Sequence, residues 1–368
     1  MAQALDTDEL DKLIQHPYRE WPLRYSDHRA FGYVCTYAPL EVVHAAGFVP
    51  VRLMQLSRQV SLASALLPSF ACALAKAVTE RMLSDELDFL GGVLFSHTCD
   101  TMQCLADIWR MVNPQLKVVT HSMPTVLSAA NSQSFLVGEL HRLAVSLEAD
   151  FGSVVREETL RASIRLYNQQ RRLLCALYEQ RQRLTAEQLW RVTATTALMP
   201  VDESNALLDS VLHDTKGGAR PSNRGPRVAL VGAVLDDPTI PRLIDELGAR
   251  VVGDDLCTGS RAHDVLVDEH KEPFDALAER HVLRTACPVK HAATATRGQR
   301  LLQLLEKTRA QGVIFVVPKF CDPHAFDLVT TSELLDQEGV PHTLVETEVS
   351  TPVGPTRTRL QAFFEMLQ

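Results

Sequence analysis

The chain has 368 residues, of which 46% are hydrophobic and 22% charged, and it carries a formal net charge of −8. This length is enough for two domains, and the acidic balance argues against nucleic acid as a partner, since binding it requires a basic surface. No apolar run reaches the roughly 20 residues of a membrane span, and the acidic N-terminus lacks the apolar core of a signal peptide. We therefore expect a cytoplasmic protein without a membrane partner, in which the eight cysteines are reduced.

Residues 1–132 are predicted to form an α/β domain. A helix at 40–46 ends at Gly47, a residue suited to a left-handed helix cap, and is followed by a strand. The predicted strands are 48–53, 93–95 and 117–120, and the predicted helices flanking 93–95 are 72–83 and 102–112.

Residues 133–213 are predicted to be a helical segment. Its stretch 161–183 has an apolar side and a side rich in Arg and Gln, which is typical of an exposed amphipathic helix. The arginines expected on its solvated face, or alternatively on a partner surface, are Arg171, Arg172, Arg181 and Arg183. Residues 214–226, rich in Gly, Pro, Ser and Asn, are predicted to be a linker.

Residues 227–368 are predicted to form a second α/β domain with strands at 227–231, 250–252, 312–317 and 342–346. Strands that alternate with helices in this way indicate parallel sheets. The predicted fold class is therefore α/β, with two related doubly wound (Rossmann- or flavodoxin-like) parallel-sheet domains and an intervening helical segment. Neither a phosphate loop nor a dinucleotide fingerprint occurs in the chain, so no direct nucleotide ligand is predicted.

A near-repeat links the two predicted domains. In each, an apolar β-forming run leads into a Cys-Asp pair, Cys99-Asp100 or Cys321-Asp322. Ligands of open α/β sheets gather beyond the carboxyl ends of strands, so two matched thiols there suggest chemistry. The alternative is that each Cys is a small buried hydrophobe. The two aspartates are expected to cap the helices that follow.

Two further positions are candidates for chemistry. Cys72 follows a Pro-Ser loop at a predicted helix start, where the helix dipole lowers a thiol pKa and favours metal ligation. Glu41 and His44 lie three apart on one helix face and are candidates for proton transfer. For Glu41 and His44 the alternative is a solvated first helical turn, in which Glu is favoured by the helix dipole.

Taken in order, four stretches resemble the 2-hydroxyacyl-CoA dehydratase and benzoyl-CoA reductase family: CTYAPLEVVHAAGFVPVRL, PSFACALAK, GVLFSHTCDTMQ and GVIFVVPKFCDP. The resemblance extends over nearly the whole chain. It is strongest to the dehydratase β-type subunit and to the C-type subunit of benzoyl-CoA reductase.

This resemblance implies a [4Fe–4S] cluster bound by Cys72, Cys99 and Cys321, with one iron free of protein ligands, or a double-cubane cluster. It implies an acyl-CoA substrate, a homologous sister subunit or second copy, and an ATP-dependent iron–sulfur activator protein. The implied reaction is ketyl-radical dehydration of a 2-hydroxyacyl-CoA or ATP-driven reduction of an aromatic acyl-CoA.

The resemblance leaves other roles open. Cys35 is not counted as a ligand, and Cys287 has no assigned role. Arg261 is expected to meet a CoA phosphate or to be an ordinary surface residue. The cysteines interpreted as packing residues are Cys104, Cys175 and Cys257. Three alternatives remain: a non-catalytic electron-transfer or scaffold subunit, a double-cubane-type reductase of small molecules, and a plain α/β small-molecule-binding protein with incidental cysteines.

Overall fold

A computed structural model describes residues 8–56, 59–217, 225–291, 296–349 and 352–368. These residues form two sheets of four strands, flanked by helices. The strands of the first sheet are β1 (Ala30–Tyr33), β2 (Val49–Arg52), β3 (Leu90–His97) and β4 (Lys117–Ser122). The strands of the second sheet are β5 (Arg227–Gly232), β6 (Arg250–Asp255), β7 (Gly312–Pro318) and β8 (His342–Thr347).

Both sheets have the same topology. The strand orders are β2-β1-β3-β4 and β6-β5-β7-β8, and every pairing is parallel. Counted within each domain, the order is 2-1-3-4, which is the flavodoxin-like doubly wound arrangement. The predicted fold class is confirmed.

β1 was not predicted from the sequence, where 48–53 was expected to be the first strand. Its four residues include Gly32, a residue type depleted in strands, and such a short segment carries little periodicity. The glycine leaves room for a neighbour, because a Cβ atom at Gly32 would lie 2.9 Å from Cδ1 of Leu90 on the adjacent strand.

Helices connect the strands of each domain. Those of the first domain are α1 (Asp8–Gln15), α2 (Pro17–Arg24), α3 (Leu40–Ala45), α4 (Ala63–Leu66), α5 (Ala73–Leu83) and α6 (Asp100–Val112). Those of the middle segment are α7 (Ser132–Phe151), α8 (Glu157–Glu179), α9 (Ala186–Thr196) and α10 (Val201–Gly217). Those of the second domain are α11 (Thr239–Glu246), α12 (Pro273–Leu283), α13 (Thr296–Thr308), α14 (Asp322–Gln337) and α15 (Val353–Met366).

The middle helices cover the junction between the two domains. On α8 a buried stripe with the spacing of one helix face includes Leu160, Ile164, Tyr167 and Arg171. The prediction that Arg171 lies on a solvated face is therefore wrong, because its guanidinium is buried against Glu41 of α3. The same prediction is also wrong for Arg181, which pairs with the buried Asp254 through an 11% exposed side chain.

The predicted linker, 214–226, is described only in part. α10 continues through Gly217, into this stretch, and residues 218–224 lie outside the described residues. The domain boundaries stay a prediction.

One hydrophobic core extends through both α/β domains, with Val51 and Val93 of the first sheet and Leu230 and Ile314 of the second belonging to the same buried cluster. Gln55 connects the sheet edges, since its backbone N–H donates to Asp236 Oδ2 at 2.8 Å and its Nε2 donates to the carbonyl of Glu348 at 2.8 Å. The carboxyl ends of the two sheets are thereby held together. Among the described helices, none combines the length and the apolar character that crossing a membrane requires.

Candidate functional site

Each of the three cysteines predicted to bind a cluster directly precedes a helix. Cys72 is the N-cap residue of α5, Cys99 of α6 and Cys321 of α14. Asp100 and Asp322 therefore occupy the first helical positions, and the expectation that they are the caps is wrong. None of the three cysteine side chains makes a capping hydrogen bond.

Burial sets the ionisation of these thiols in the protein without metal. It raises the pKa of Cys72, which is 9% exposed, although the N–H groups of Ala75 and Leu74 act in the opposite direction. Burial likewise raises the pKa of Cys99 to about 12 and raises the pKa of Cys321 strongly. Because thiolates are the form that binds metal, a cation must supply the stabilisation that water would otherwise give.

The three thiols lie close enough to influence one another, although they come from both domains. In addition to burial, negative charge on Cys72 raises the pKa of Cys99 and of Cys321. Their sulfur atoms do not all lie within 4.8 Å of one another. Their spacing is therefore wider than the ligands of a single ion with metal–sulfur bonds of about 2.3 Å require.

A more compact group lies beside Cys321. The ligand atoms of Cys257, Cys287 and His324 are all within 4.8 Å of one another. A hydrogen bond from the thiol of Cys287 holds the pKa of Cys257 well below its usual range, and the guanidinium of Arg261, whose Nη2 is 3.2 Å from Cys257 Sγ, also lowers it. The negative charge of Cys257 also raises the pKa of Cys35, in addition to the larger effect of burial.

For some of these residues, the role predicted from the sequence differs from the one that the structure shows. Cys257 was interpreted as a packing residue because the resemblance gave it no role. β6, expected to end at 252, continues to Asp255, so that Cys257 lies just beyond a strand end. Cys104 is exposed, so its packing assignment is wrong. Arg261 is 2% exposed and contacts Asp255 and Cys257, so it is not a surface residue.

A buried lysine adds positive charge to this region. Lys290 is 6% exposed, and its Nζ donates to the carbonyl of Met123 at 3.2 Å. Burial lowers its pKa, while negative charge on Cys35, Cys287 and Cys99 acts in the opposite direction. Lys290 and Arg261 therefore offer compensation for thiolates at the junction of the two domains.

Glu41 and His44 contact the middle helix α8. Glu41 is 1% exposed and forms a buried ion pair with Arg171. Burial alone would raise the pKa of Glu41, but Arg171 and Arg280 lower it below its usual value. Burial lowers the pKa of His44, whose Nδ1 lies 2.7 Å from Ser163 Oγ.

A cavity of about 120 Å³ lies between the two domains and the middle helices. Its lining includes Thr36 and Thr258, which follow Cys35 and Cys257, together with Arg171 of α8. Neither Glu41 nor His44 lines it.

Exposed aromatic rings flank two of the cluster-ligand candidates. Phe70 is 68% exposed, and Phe320, next to Cys321, is 44% exposed. The Lys76 ammonium lies 5.4 Å from the centre of the Phe320 ring, which connects the first turn of α5 to the loop before α14. Phe320 has φ of +62°, a strained conformation for a bulky residue, and it persists because the surrounding contacts hold it.

Comparisons with known proteins give a consistent result. The family model described as "2-hydroxyglutaryl-CoA dehydratase, D-component" matches residues 35–367. The chain is 25% identical to the (R)-phenyllactyl-CoA dehydratase beta subunit of Clostridium sporogenes, with 98% of each chain covered. It is 29% identical to the beta subunit of lactoyl-CoA dehydratase from Anaerotignum propionicum, with 92% of this chain and 91% of the relative covered. It is 25% identical to a benzoyl-CoA reductase subunit of Thauera aromatica, with 95% of this chain and 94% of the relative covered.

Proposed function

The chain belongs to the 2-hydroxyglutaryl-CoA dehydratase D-component family, and on that premise we propose that it is the iron–sulfur subunit of an acyl-CoA-processing enzyme. The proposed reaction is dehydration of a 2-hydroxyacyl-CoA or reduction of an aromatic acyl-CoA. Both chemistries occur among the names of its relatives, which include dehydratase beta subunits and a benzoyl-CoA reductase subunit.

The observation that carries this proposal is the electrostatic influence of Cys72 on Cys99 and Cys321, although the three residues come from two domains. All three are free thiols at helix N-termini, and the charge of Cys72 affects the ionisation of the other two. Three soft sulfur donors are the ligand type of an iron–sulfur cluster. We propose that these residues bind a [4Fe–4S] cluster.

A [4Fe–4S] cluster with three thiolate ligands supplies one-electron chemistry and one iron that a substrate oxygen can reach. The protein contributes the surroundings. The N–H groups at the first turns of α5, α6 and α14 and the buried Lys290 offset negative charge. Cys72 is buried, whereas Cys99 and Cys321 are partly exposed. Proton transfer by Glu41 and His44 stays a prediction.

We propose that a homologous sister subunit, or a second copy of this chain, covers the surface around Phe70 and Phe320. Exposed aromatic rings beside a buried site are typical of protein interfaces. The relatives named as beta subunits support such a complex. An ATP-dependent iron–sulfur activator protein as electron donor and a cytoplasmic location belong to the same proposal.

A double-cubane cluster, as in reductases of small molecules, is the second cofactor candidate. It requires more thiolates than three, and Cys35 is the observation that favours it. Burial raises the pKa of Cys99 most, negative charge on Cys72 raises it further, and negative charge on Cys35 adds a smaller increase. Thr98 Oγ1 donates a hydrogen bond to Cys35 Sγ at 3.6 Å.

A second candidate function is an electron-transfer or scaffold subunit whose partner supplies the substrate pocket. The cavity between the domains favours it, since about 120 Å³ is small beside the roughly 300–1,000 Å³ of ordinary ligand pockets. Acyl-CoA binding measured by calorimetry, first with the isolated chain and then with the assembled complex, separates the two functions.

The cluster assignment is tested by anaerobic reconstitution with iron and sulfide, followed by visible and EPR spectroscopy. We expect a cluster in the wild type and its loss in Cys72→Ala, Cys99→Ala and Cys321→Ala. Cys104→Ala, at an exposed position, is the matched control and should retain it. A wild type without a cluster, or three variants with an undiminished one, would overturn the assignment.

A further inference from the structure

The cavity between the two domains and the middle helices has a cationic wall. Its described lining includes Arg52, Arg171 and Arg280, and it contains no aspartate or glutamate. Asp236 pairs with Arg52, and Glu41 pairs with Arg171. For Arg280, in contrast, no carboxylate in the described part of the chain serves as a partner. The wall therefore carries a positive charge that the protein does not compensate.

Arg280 has one guanidinium nitrogen left for a ligand. The residue is 4% exposed. Its Nε donates to the carbonyl of Val265 at 2.9 Å, and its Nη2 donates to the carbonyl of Ala262 at 2.8 Å. No described residue accepts a hydrogen bond from Nη1. Because buried charges in proteins are normally paired, this guanidinium calls for an anion.

The surroundings of Arg280 repel its positive charge. Burial lowers the pKa of Arg280 well below its usual range, and the charges of Arg171 and Arg284 lower it further. Glu41 and Asp264 act in the opposite direction. Since a guanidinium stays protonated in a protein, the repulsion among these arginines persists in the empty cavity. An anion bound beside Arg280 would offset it, and the attraction is strong where water is scarce.

Two tyrosine hydroxyls add neutral donors to the cavity. Tyr33 of β1 and Tyr167 of α8 line it and are 6% and 5% exposed. Burial raises the pKa of Tyr33 to about 12 and that of Tyr167 well above its usual value, so both hydroxyls keep their protons. Neither hydroxyl has a hydrogen-bond partner among the described residues, although a buried tyrosine usually finds one. With Arg280, they form a set of donors that lacks an acceptor.

Aliphatic side chains form much of the remaining wall, among them Leu40, Met54, Leu174 and Leu235. The cavity is partly open to solvent, and its volume of about 120 Å³ is close to the roughly 150 Å³ of a cavity that binds benzene. It therefore has room for a molecule of about six non-hydrogen atoms. An inorganic oxyanion would leave the aliphatic side chains without contacts, whereas an acid with a short hydrocarbon chain matches both parts of the wall.

We propose that this cavity binds a free short-chain aliphatic carboxylic acid, of about four carbons, with its carboxylate at Arg280 and its hydrocarbon chain against the aliphatic wall. A carboxylate also accepts hydrogen bonds from the two tyrosine hydroxyls, and bonds to ionised groups are the stronger kind. The acid contacts both domains and the middle helices, so it stabilises their arrangement. The site is independent of the proposed function, since no cysteine lines the cavity.

Calorimetry on the metal-free full chain tests the site without any variant, and the absence of a cluster leaves the result unaffected. The probes are butyrate and butyramide, which have nearly the same shape and differ in charge. We expect one butyrate per chain and binding of butyramide that is about tenfold weaker or more. Butyrate, but not butyramide, should also raise the melting temperature. Equal affinity for the two probes, or binding of inorganic phosphate in place of butyrate, would overturn the proposal.

Two variants locate the bound acid in this cavity. Arg280→Met removes the ionic partner and should weaken butyrate binding about tenfold or more. Ala197→Leu fills part of the cavity, keeps every polar group and should abolish binding, so it tests the site even where Arg280→Met fails to fold. Arg172→Met, on α8 with a 54% exposed side chain, is the matched control and should bind butyrate as the wild type does. Undiminished binding in Ala197→Leu would place the acid elsewhere and contradict the proposal.

Discussion

Arg52, at the end of β2, and Asp236, in the loop after β5, form a buried two-pronged ion pair between the two α/β domains. Arg52 Nη1 lies 2.7 Å from Oδ1 of Asp236, and Nη2 lies 3.1 Å from Oδ2. The side chains are 4% and 1% exposed. The carboxylate also accepts the backbone N–H of Gln55 at 2.8 Å. This pair joins the carboxyl ends of the two sheets, where strand-end cysteines of both domains lie.

Asp236→Ala should destabilise the protein by about 3–5 kcal/mol, because it leaves the buried guanidinium of Arg52 without a partner. Urea unfolding of the metal-free chain measures the change. The control is Glu187→Gln, which breaks the pair between Glu187 and Arg242, whose side chains are 29% and 52% exposed. That change should cost at most about 1 kcal/mol. Equal stability of Asp236→Ala and the wild type would contradict the role given to the pair.

Gly232 marks the point where β5 passes closest to β7. Its φ is +155°, and a Cβ atom there would lie 1.9 Å from the carbonyl oxygen of Val316. Since the clash involves backbone, Gly232→Ala should cost about 3 kcal/mol or more. Gly138→Ala is the matched control, because it lies within α7 with no atom near the added Cβ, and it should stabilise by about 1 kcal/mol. Thermal unfolding of both variants measures these changes. A melting temperature of Gly232→Ala equal to that of the wild type would contradict the prediction.

The parts of the fold that the sequence predicts are those with local signals. β3 and β7 are continuous apolar runs, buried almost throughout, and each ends close to a cysteine whose position follows from the strand. The short β1 lacks such a run and was missed. The order of the strands in each sheet depends on which strands pair, and the amino-acid sequence alone does not show this pairing.

The errors at the candidate site arise from contacts between residues distant in sequence. Arg171 was expected in solvent because its partner Glu41 is 130 residues away. Cys257 was assigned to packing because the resemblance gave it no role, and its proximity to Cys287 and His324 exists only in the folded protein. Charge and cysteine content are visible in sequence, but the pairing that decides their role is a property of the tertiary structure.

Buried histidines should make the protein sensitive to mild acid. Burial lowers the pKa of His121 from 6.5 to about 4 and that of His263 likewise to about 4. Between these values the unfolded chain binds protons that the folded chain excludes, so stability is present above pH 6.5 and falls as the pH drops toward 4. Each such histidine contributes a slope of up to about 1.4 kcal/mol per pH unit.

The acid sensitivity is measured by urea unfolding at several pH values between about 4 and 7, the range over which these histidines titrate. His121→Leu should reduce the slope, because the residue has no exposure and neither ring nitrogen has a hydrogen-bond partner. The exposed His270→Gln is the control and should leave the slope as in the wild type. A slope that His121→Leu does not change would show that His121 is not responsible.

Glu41 and His44 share a short helix, but their surroundings predict different effects of substitution. Glu41→Gln removes the negative charge that compensates the buried Arg171, so it should lower stability by about 3–5 kcal/mol. His44→Gln loses one hydrogen bond to Ser163 and should cost only about 1 kcal/mol. If His44 carries a proton, its substitution should lower kcat of the assembled, cluster-loaded complex by about 100-fold or more.

Thermal unfolding and turnover of the same preparations separate the structural role of these two residues from proton transfer. Ser163→Ala is the control, because it removes the hydrogen bond to His44 and keeps the imidazole. A stable but inactive Glu41→Gln variant would instead assign proton transfer to Glu41. Full activity of His44→Gln would exclude His44, since a group that carries a required proton cannot be replaced by an amide that does not titrate.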